Sequence, residues 1–158
     1  MADKNIRKLT QQLAEIEGLI PKKDLKNPLV SIVDAGWHLD HALKVFNAVS
    51  QWTENSNPNE YKRKFNFWRS ILLPLGYIPR GKARAPKHVF PPEIIKSEDL
   101  KKQLQIGRIH IDKLTKLPEN AFFNHFIFGM LSKKQTLRFL DMHTNHHLKI
   151  VSDILNTK

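Results

Sequence analysis

The apolar run from Leu137 to Leu155, interrupted by His143-Thr144-Asn145-His146-His147, is the stretch that most restricts how this chain can fold. At about 3.6 residues per turn, side chains four residues apart lie about 40° apart on one face of a helix. His143 and His147 lie on the same helical face as three apolar residues, Leu140, Ile150 and Ile154. We therefore predict a C-terminal helix whose buried face carries two imidazoles one turn apart.

Two histidines on one helical face have two interpretations. A lone His-x-x-x-His pair most often consists of core side chains that each make one hydrogen bond. The functional interpretation is that His143 and His147 share a divalent cation. Reactive metal sites use about three protein ligands and leave the other positions to water or substrate. This interpretation therefore requires a third ligand from elsewhere in the chain.

The composition limits what that third ligand can be. The chain has 158 residues and no cysteine, which excludes disulfides, thiolate metal sites and a cysteine nucleophile. Eight histidines are present, so imidazole and oxygen groups remain as ligands. The length suits one domain, which we assign to residues 1–158.

No segment has the pattern of a membrane span or a targeting sequence. The first residues, Met1-Ala2-Asp3-Lys4, lack the apolar core of a signal peptide. No apolar run approaches the roughly 20 residues that cross a bilayer. We expect a cytoplasmic protein that has no membrane partner.

Apolar periodicity and capping residues predict further amphipathic helices, over residues 5–17, 29–54, 58–73 and 98–115. Asn27-Pro28 and Asn57-Pro58 are typical helix starts, and Pro74 is a typical helix end. No alternation typical of strands occurs, and residues 121–129 are expected to form an aromatic loop over one end of the helices. Ser132 with Gln135 is a capping box for the last helix. The predicted fold is all-α, an antiparallel four-helix bundle with an additional short N-terminal helix and a long basic loop.

Much of the positive charge lies between Tyr61 and Pro92. The formal net charge is +11, and this segment contains eight Lys and Arg but no acidic residue. Its part from Leu75 to Pro92 is too rich in Pro and Gly for a regular element and too long for a simple connection. One interpretation is a loop that contacts an anion through Arg80, Lys82, Arg84 and Lys87. The other is a solvated surface loop.

The second predicted helix contains the candidate third ligand, His41. It lies four residues after Trp37 and four before Val45, and so shares a line with apolar neighbours. His38 lies three residues before His41, on an adjacent strip of the helix surface. It has three possible roles: an alternative metal ligand, a residue that orients a ligand, or a residue that has no role in metal binding. Asp40 points about 100° away around the helix, which makes it a poor general base. No catalytic residue is identified.

These motifs, in this order, resemble the DinB/YfiT-like superfamily of metalloproteins, and in particular a small uncharacterised branch of it. The first motif is Trp37-His38-Leu39-Asp40-His41-Ala42-Leu43-Lys44-Val45, and the second is Ile-Pro-Arg-Gly-Lys-x-x-Ala-Pro-Lys from Ile78 to Lys87. The third is Phe128-Gly129-x-Leu131-Ser132, which leads into His143-x-x-x-His147. The resemblance covers the chain from about residue 28 to 155.

The resemblance implies up-down-down-up connectivity, a long loop between the second and third bundle helices, and homodimers. It also implies a three-histidine site for nickel or zinc, with iron or manganese as further candidates. Residue by residue, the ligands correspond to His41, His143 and His147, whereas His146 lies beside the pair and is an alternative ligand. Characterised relatives include metal-dependent thiol S-transferases and hydrolases.

The leading hypothesis is a metal-dependent hydrolase or thiol S-transferase whose small-molecule substrate is anionic if the basic loop covers the site. The alternative is a basic binding module for nucleic acid or another anionic partner, in which the histidines are structural. Strongly salt-dependent binding to DNA or RNA, unaffected by metal removal, would indicate that alternative. A third hypothesis is a metal-binding protein that has lost its catalytic machinery.

Overall fold

The computed structural model describes residues 2–81 and 84–156, which form a mostly helical structure. The helices are α1 (Ala2–Leu19), α2 (Ala35–Glu54), α3 (Phe67–Leu75), α4 (Ser97–Lys116) and α5 (Lys133–Leu155). Two short antiparallel strands, β1 (Phe122–His125) and β2 (Gly129–Ser132), precede α5. In the described part of the chain, no helix has the length and apolarity needed to cross a membrane.

The four long helices, α1, α2, α4 and α5, pack against one another around one core. Both α1 and α2 contact α4 and α5. The helices α2 and α4 run parallel, because Asp40 accepts a hydrogen bond from Gln103 and Glu54, later in α2, pairs with His110, later in α4. Their shared core consists of fully buried side chains that include Leu13, Phe46, Leu104 and Leu140.

The structure corrects which helices build the core. The expected additional helix, α1, has 18 residues and belongs to the packed set. The predicted helix over residues 58–73 is instead the short α3, in which only Leu73 is buried. Nine residues are too few to match the long helices, so α3 packs on the outside of α5.

The start of α3 also differs from the prediction. Asn57 caps only a 3₁₀ turn over Pro58–Glu60, and residues 61–66 are not helical. The helix begins after Asn66, whose side chain accepts a hydrogen bond from the backbone N–H of Arg69 at 2.9 Å. Pro74 lies in the last turn of α3, which ends at Leu75, and the cap is Gly76, whose φ of 64° is the left-handed conformation that glycine tolerates best.

The helix predicted over residues 58–73 would bury one apolar face made of Tyr61, Phe65, Trp68 and Leu72, and this expectation is wrong as well. Phe65 is 83% exposed and Trp68 is 55% exposed. The register explains the difference, because a helix that starts at Phe67 cannot align Tyr61 and Phe65 with its inner face.

The second helix begins at Ala35, later than the predicted residue 29. Asp34 is its cap and accepts a hydrogen bond from the backbone N–H of Trp37 at 2.8 Å. Asn27 closes a separate turn through the backbone N–H of Leu29 at 3.1 Å. This later start places Trp37, His38 and His41 in the first two turns of α2.

The predicted aromatic loop is a β-hairpin, in which Phe122 pairs with Ser132 and His125 pairs with Gly129. Strands of four residues are too short for an alternation that the sequence would reveal. The predicted capping box of Ser132 and Gln135 is confirmed at the start of α5. The hairpin therefore leads directly into the helix that carries His143 and His147.

The turn of this hairpin depends on a neutral histidine. The Nδ1 atom of His125 accepts hydrogen bonds from the backbone N–H groups of Ile127 at 3.0 Å and Phe128 at 3.2 Å. Burial lowers the pKa of His125 to about 4, because the charged form loses its hydration. A proton on Nδ1 would remove both acceptor interactions.

We expect the hairpin turn to loosen in acid. Since the folded pKa lies below the unfolded value of 6.5, the neutral ring stabilises the fold fully above about pH 6.5, and this contribution is lost as the pH falls toward 4. The protection of the Phe128 amide, which is its exchange rate measured by NMR and corrected for the intrinsic rate at each pH, should therefore fall through this range. The His125→Phe variant has no acceptor, and its Phe128 amide should be weakly protected at every pH. Unchanged protection in the wild-type protein at pH 4 would contradict this explanation.

Candidate metal centre

The three predicted ligands, His41, His143 and His147, meet where the start of α2 faces the middle of α5. One ligand atom from each of these residues, the histidine trio, lies within 4.8 Å of the others. His41 and His147 are buried and His143 is half-buried. The two helices run antiparallel here, because His38 faces His147 while His41 also contacts His143, one turn earlier in α5. The trio can hold a metal ion.

His41 is oriented by a hydrogen bond at one edge of its ring and by stacking on its face. Its Nδ1 donates a hydrogen bond to the backbone carbonyl of Val89 at 2.9 Å. Its ring stacks on Trp37 with a centroid distance of 5.1 Å. Because the Nδ1 proton is held by this carbonyl, Nε2 is the nitrogen that remains free to bind a cation.

His147 is oriented by a chain of polar groups. Its Nδ1 lies 3.0 Å from Nδ1 of His38, and Nε2 of His38 lies 2.9 Å from Oγ of Ser31. If His147 donates to His38 and His38 donates to Ser31, Nε2 of His147 is left unprotonated and free. His38 therefore supports a ligand and lies outside the trio, which is one of the roles that the sequence left open.

A buried nitrogen of His143 indicates whether a metal ion fits this site. Its Nδ1 is buried and has no hydrogen-bond partner in the described part of the chain. A buried polar atom without a partner costs about 1–3 kcal/mol, so such atoms are rare in native structures. A cation coordinated by the trio would account for a buried imidazole that makes no hydrogen bond with the protein.

All three imidazoles are held in their neutral form. Burial lowers the pKa of His41, and it places the pKa of His143 and of His147 well below the ordinary value, with neighbouring histidines adding to the effect. Burial likewise lowers the pKa of His38 to about 4. The neutral ring is the form that binds metals, so protons do not compete for the trio near neutral pH.

The spacing of the trio requires only a small adjustment. Three imidazole nitrogens, each about 2.1 Å from a shared zinc ion, lie about 3.4 Å apart in a tetrahedral site. The ligand atoms here lie within 4.8 Å of one another, so side-chain movements of about 1 Å would bring them to that geometry.

The other predicted site residues lie around the trio. His146 is half-buried and its ring contacts His147 at a centroid distance of 4.9 Å, but it is not part of the trio. Arg80 pairs with Asp153 of α5 at 2.7 Å, which ties the basic loop to the helix that carries two of the ligands. Arg84 is exposed beside the cavity that contains the trio, Lys87 is exposed outside that lining, and Lys82 lies outside the described residues.

The trio lies in the wall of a cavity of about 1140 Å³. The basic loop covers one side of it, and the hairpin, with Phe123 and His125, lines another. The aromatic segment, expected as a loop over one end of the helices, is thus a hairpin that lines this cavity. Sequence reasoning missed Ser31 and the carbonyl of Val89, and a backbone group has no side-chain signal that could have found it.

Asp40 does not line the site. It is buried on the side of α2 that faces α4, where it pairs with Lys44 and accepts a hydrogen bond from Gln103 at 2.7 Å. Among the described residues, no carboxylate lines the cavity. A general base at this site would therefore have to be an imidazole.

The support from His38 predicts a measurable effect on metal affinity. The His38→Ala variant removes the group that orients His147, and such losses weaken metal binding about 10–100-fold. The His88→Ala variant is the control, because His88 is exposed and its ring contacts Trp52 rather than the trio. Competition with a zinc chelator measures both affinities. Equal affinities in the two variants would contradict a role for His38.

Comparisons with known proteins add no family to this picture. No family model, curated protein or solved structure matches the chain. What the protein does must therefore be argued from the geometry of the histidine trio and its cavity.

Proposed function

We propose that this protein is a DinB/YfiT-like metalloprotein in which His41, His143 and His147 bind one divalent cation, nickel or zinc first, with iron and manganese as further candidates. The observation that carries the proposal is the meeting of three neutral imidazoles from two helices, among which the buried Nδ1 of His143 has no hydrogen-bond partner in the described part of the chain. Structural histidines normally have their hydrogen bonds satisfied, so a purely structural role leaves His143 unexplained.

The course of the chain supports the family assignment. The parallel pair α2 and α4, with α5 antiparallel to α2, agrees with up-down-down-up connectivity. The segment between α2 and α4, residues 55–96, contains the basic loop, as the resemblance implies. The homodimer that the resemblance also implies stays a prediction.

We propose thiol S-transfer as the reaction, with hydrolysis second. When bound, the cation would act as a Lewis acid that lowers the pKa of a nucleophile at the open coordination positions. A thiol, with a pKa of about 8.5, loses its proton far more readily than water at about 15.7. A cavity in which the described residues supply no carboxylate base therefore suits a thiol better.

The chain's own residues supply orientation and proton transfer. The Val89 carbonyl and His38 orient His41 and His147, and Trp37, which stacks on His41, packs edge to face against Phe90. His146 is half-buried beside His147 and is the imidazole we assign to accept the thiol proton.

The reaction can be tested with zinc- or nickel-loaded protein, a small thiol and an electrophilic aryl halide. In the expected step a carbon–sulfur bond forms, the carbon–halogen bond breaks, halide leaves, and the thiol proton passes to an imidazole and then to solvent. We expect thioether formation that the His143→Ala variant does not support. An aryl ester, assayed in parallel, tests hydrolysis. If neither the thioether nor the hydrolysis product forms faster than it does without protein, the catalytic proposal is contradicted.

The alternative of a basic binding module stays a prediction. Two of the cations in this segment already have partners, since Arg80 pairs with Asp153 and Arg69 donates to the carbonyls of Phe128 and Met130. Binding to generic DNA at several salt concentrations, with and without metal, tests it directly.

A further inference from the structure

The cavity is much larger than the histidine trio needs. Its volume of about 1140 Å³ is at the upper end of what binding sites for drug-sized ligands enclose. A metal ion and one water molecule would fill only a small part of it. The remaining space adjoins the ligands, so its lining indicates what kind of molecule can reach the metal.

That lining is apolar over most of its surface. Aromatic and aliphatic side chains come from every element around it, including Val45, Trp52, Tyr77, Phe90, Phe123 and Ile150. Apart from the histidines, the polar groups that the described residues contribute include the side chains of Asn124 and Arg84 and the hydroxyl of Tyr77. An open apolar cavity of this kind is typical of a binding site for an apolar molecule.

The rim of the cavity is also apolar and reaches into solvent. Trp68 is 55% exposed, Tyr77 is 62% exposed and Phe126 is 75% exposed, and all three line the cavity. Large aromatic side chains at a protein surface are usually scattered singly, so several around one opening indicate a surface that a ligand covers.

Among the described residues, Arg84 is the Lys or Arg side chain that lines this opening. Arg84 is exposed, lines the cavity, and has no acidic partner among the described residues. Arg80, in the same loop, is neutralised by Asp153. The described lining contains no acidic side chain that would repel an anion. A single guanidinium beside an apolar cavity is complementary to one anionic group on an otherwise apolar molecule.

We propose that the cavity binds an amphiphilic small molecule, with a long aliphatic or aromatic body in the apolar cavity and one carboxylate-like group at Arg84. This inference rests on the proposed function in one respect, since it makes the amphiphilic molecule the substrate of the metal site. The sequence leads us to expect an anionic substrate, and the cavity specifies one that has a single charge and a large apolar part.

Dodecanoate is the probe, with hexanoate as a short acid of the same charge and dodecanol as an uncharged molecule of the same length. All three tryptophans of the chain, Trp37, Trp52 and Trp68, line the cavity, so tryptophan fluorescence reports on occupancy. We expect dodecanoate to bind and to change this fluorescence, and hexanoate to bind at least about 100-fold more weakly, since each buried methylene contributes about 0.8 kcal/mol.

Three variants locate the bound molecule. Ala48→Phe should fill part of the cavity and weaken dodecanoate at least tenfold, while far-UV circular dichroism and zinc binding report that the fold is kept. Arg84→Gln should weaken dodecanoate about tenfold and leave dodecanol unchanged. Lys87→Gln is the matched control, because Lys87 is a cation of the same loop outside the described lining, and it should change neither.

The outcomes separate this inference from the proposed function. Zinc binding by the trio without dodecanoate binding overturns the amphiphilic ligand and leaves the metal site intact. Dodecanoate binding without zinc binding overturns the metal proposal and, with it, the ligand's role as substrate. Equal loss of dodecanoate in the Arg84→Gln and Lys87→Gln variants overturns the assignment of the anionic group to Arg84.

Discussion

The His143→Ala variant should lose zinc or nickel binding by at least about 1000-fold, because two of three imidazoles cannot hold a cation against water with comparable affinity. His143 has the strongest claim of the trio, since its buried Nδ1 has no hydrogen bond in the described part of the protein to replace. Chelator competition measures the affinity. Because the substitution removes no hydrogen bond within the described protein, the variant should remain folded.

His146→Ala is the matched comparison on the same helix. His146 adjoins the trio, is half-buried, and is not one of the three converging ligands. We expect its replacement to leave metal affinity much closer to the wild-type value than His143→Ala does, because its ring packs edge-on against His147 and no hydrogen bond joins the two rings in the described part of the chain. Metal loss in His146→Ala and retention in His143→Ala would show that the ligand set is wrong.

The Asp141→Ala variant should lower the free energy of unfolding by about 3 kcal/mol, because it removes the buried member of a charged network. The Asp141 side chain is 7% exposed and accepts hydrogen bonds from Gln12 at 2.9 Å and from Arg138 at 2.9 Å. Arg138 also donates to the carbonyl of Leu73 at 3.1 Å. One carboxylate thus connects α1, α3 and α5, and urea denaturation measures its contribution.

Asp153→Ala is the control for this substitution. Asp153 lies on the same helix and pairs with Arg80, but both side chains are about half exposed. Ion pairs of that kind contribute about 1 kcal/mol or less, because water and salt screen them. If Asp153→Ala lowered the free energy of unfolding as much as Asp141→Ala does, burial would not explain the effect expected for Asp141.

The long helices could be predicted because their apolar periodicity extends over several turns. The fourth predicted helix, 98–115, is confirmed within one residue at each end as Ser97–Lys116. The start of the short helix α3 was predicted at the wrong residue, because more than one nearby residue can cap a helix there. Asn57 caps a 3₁₀ turn and Asn66 caps α3, and Arg69, in the first turn of α3, donates hydrogen bonds to the carbonyls of Phe128 and Met130, which are distant in the sequence and have no local signal.

The candidate site was predicted from spacing, and the parts that were missed depend on tertiary structure. The pair His143 and His147 follows from helix geometry alone, whereas their meeting with His41 depends on how α2 and α5 pack. The proton on His41 is fixed by the Val89 carbonyl, 48 residues away. Likewise, the apolar character of the cavity appears only when the loop, the hairpin and both helices are placed together.

The most direct measurement is the zinc content of untagged protein, purified without chelator, reconstituted with zinc, desalted and analysed by elemental mass spectrometry. The protein in which His41, His143 and His147 are all replaced by alanine is treated in parallel. The histidine trio predicts about one equivalent of zinc in the wild-type protein and none in the triple variant. No zinc in the wild-type protein, or an equal amount in both, would contradict the metal site.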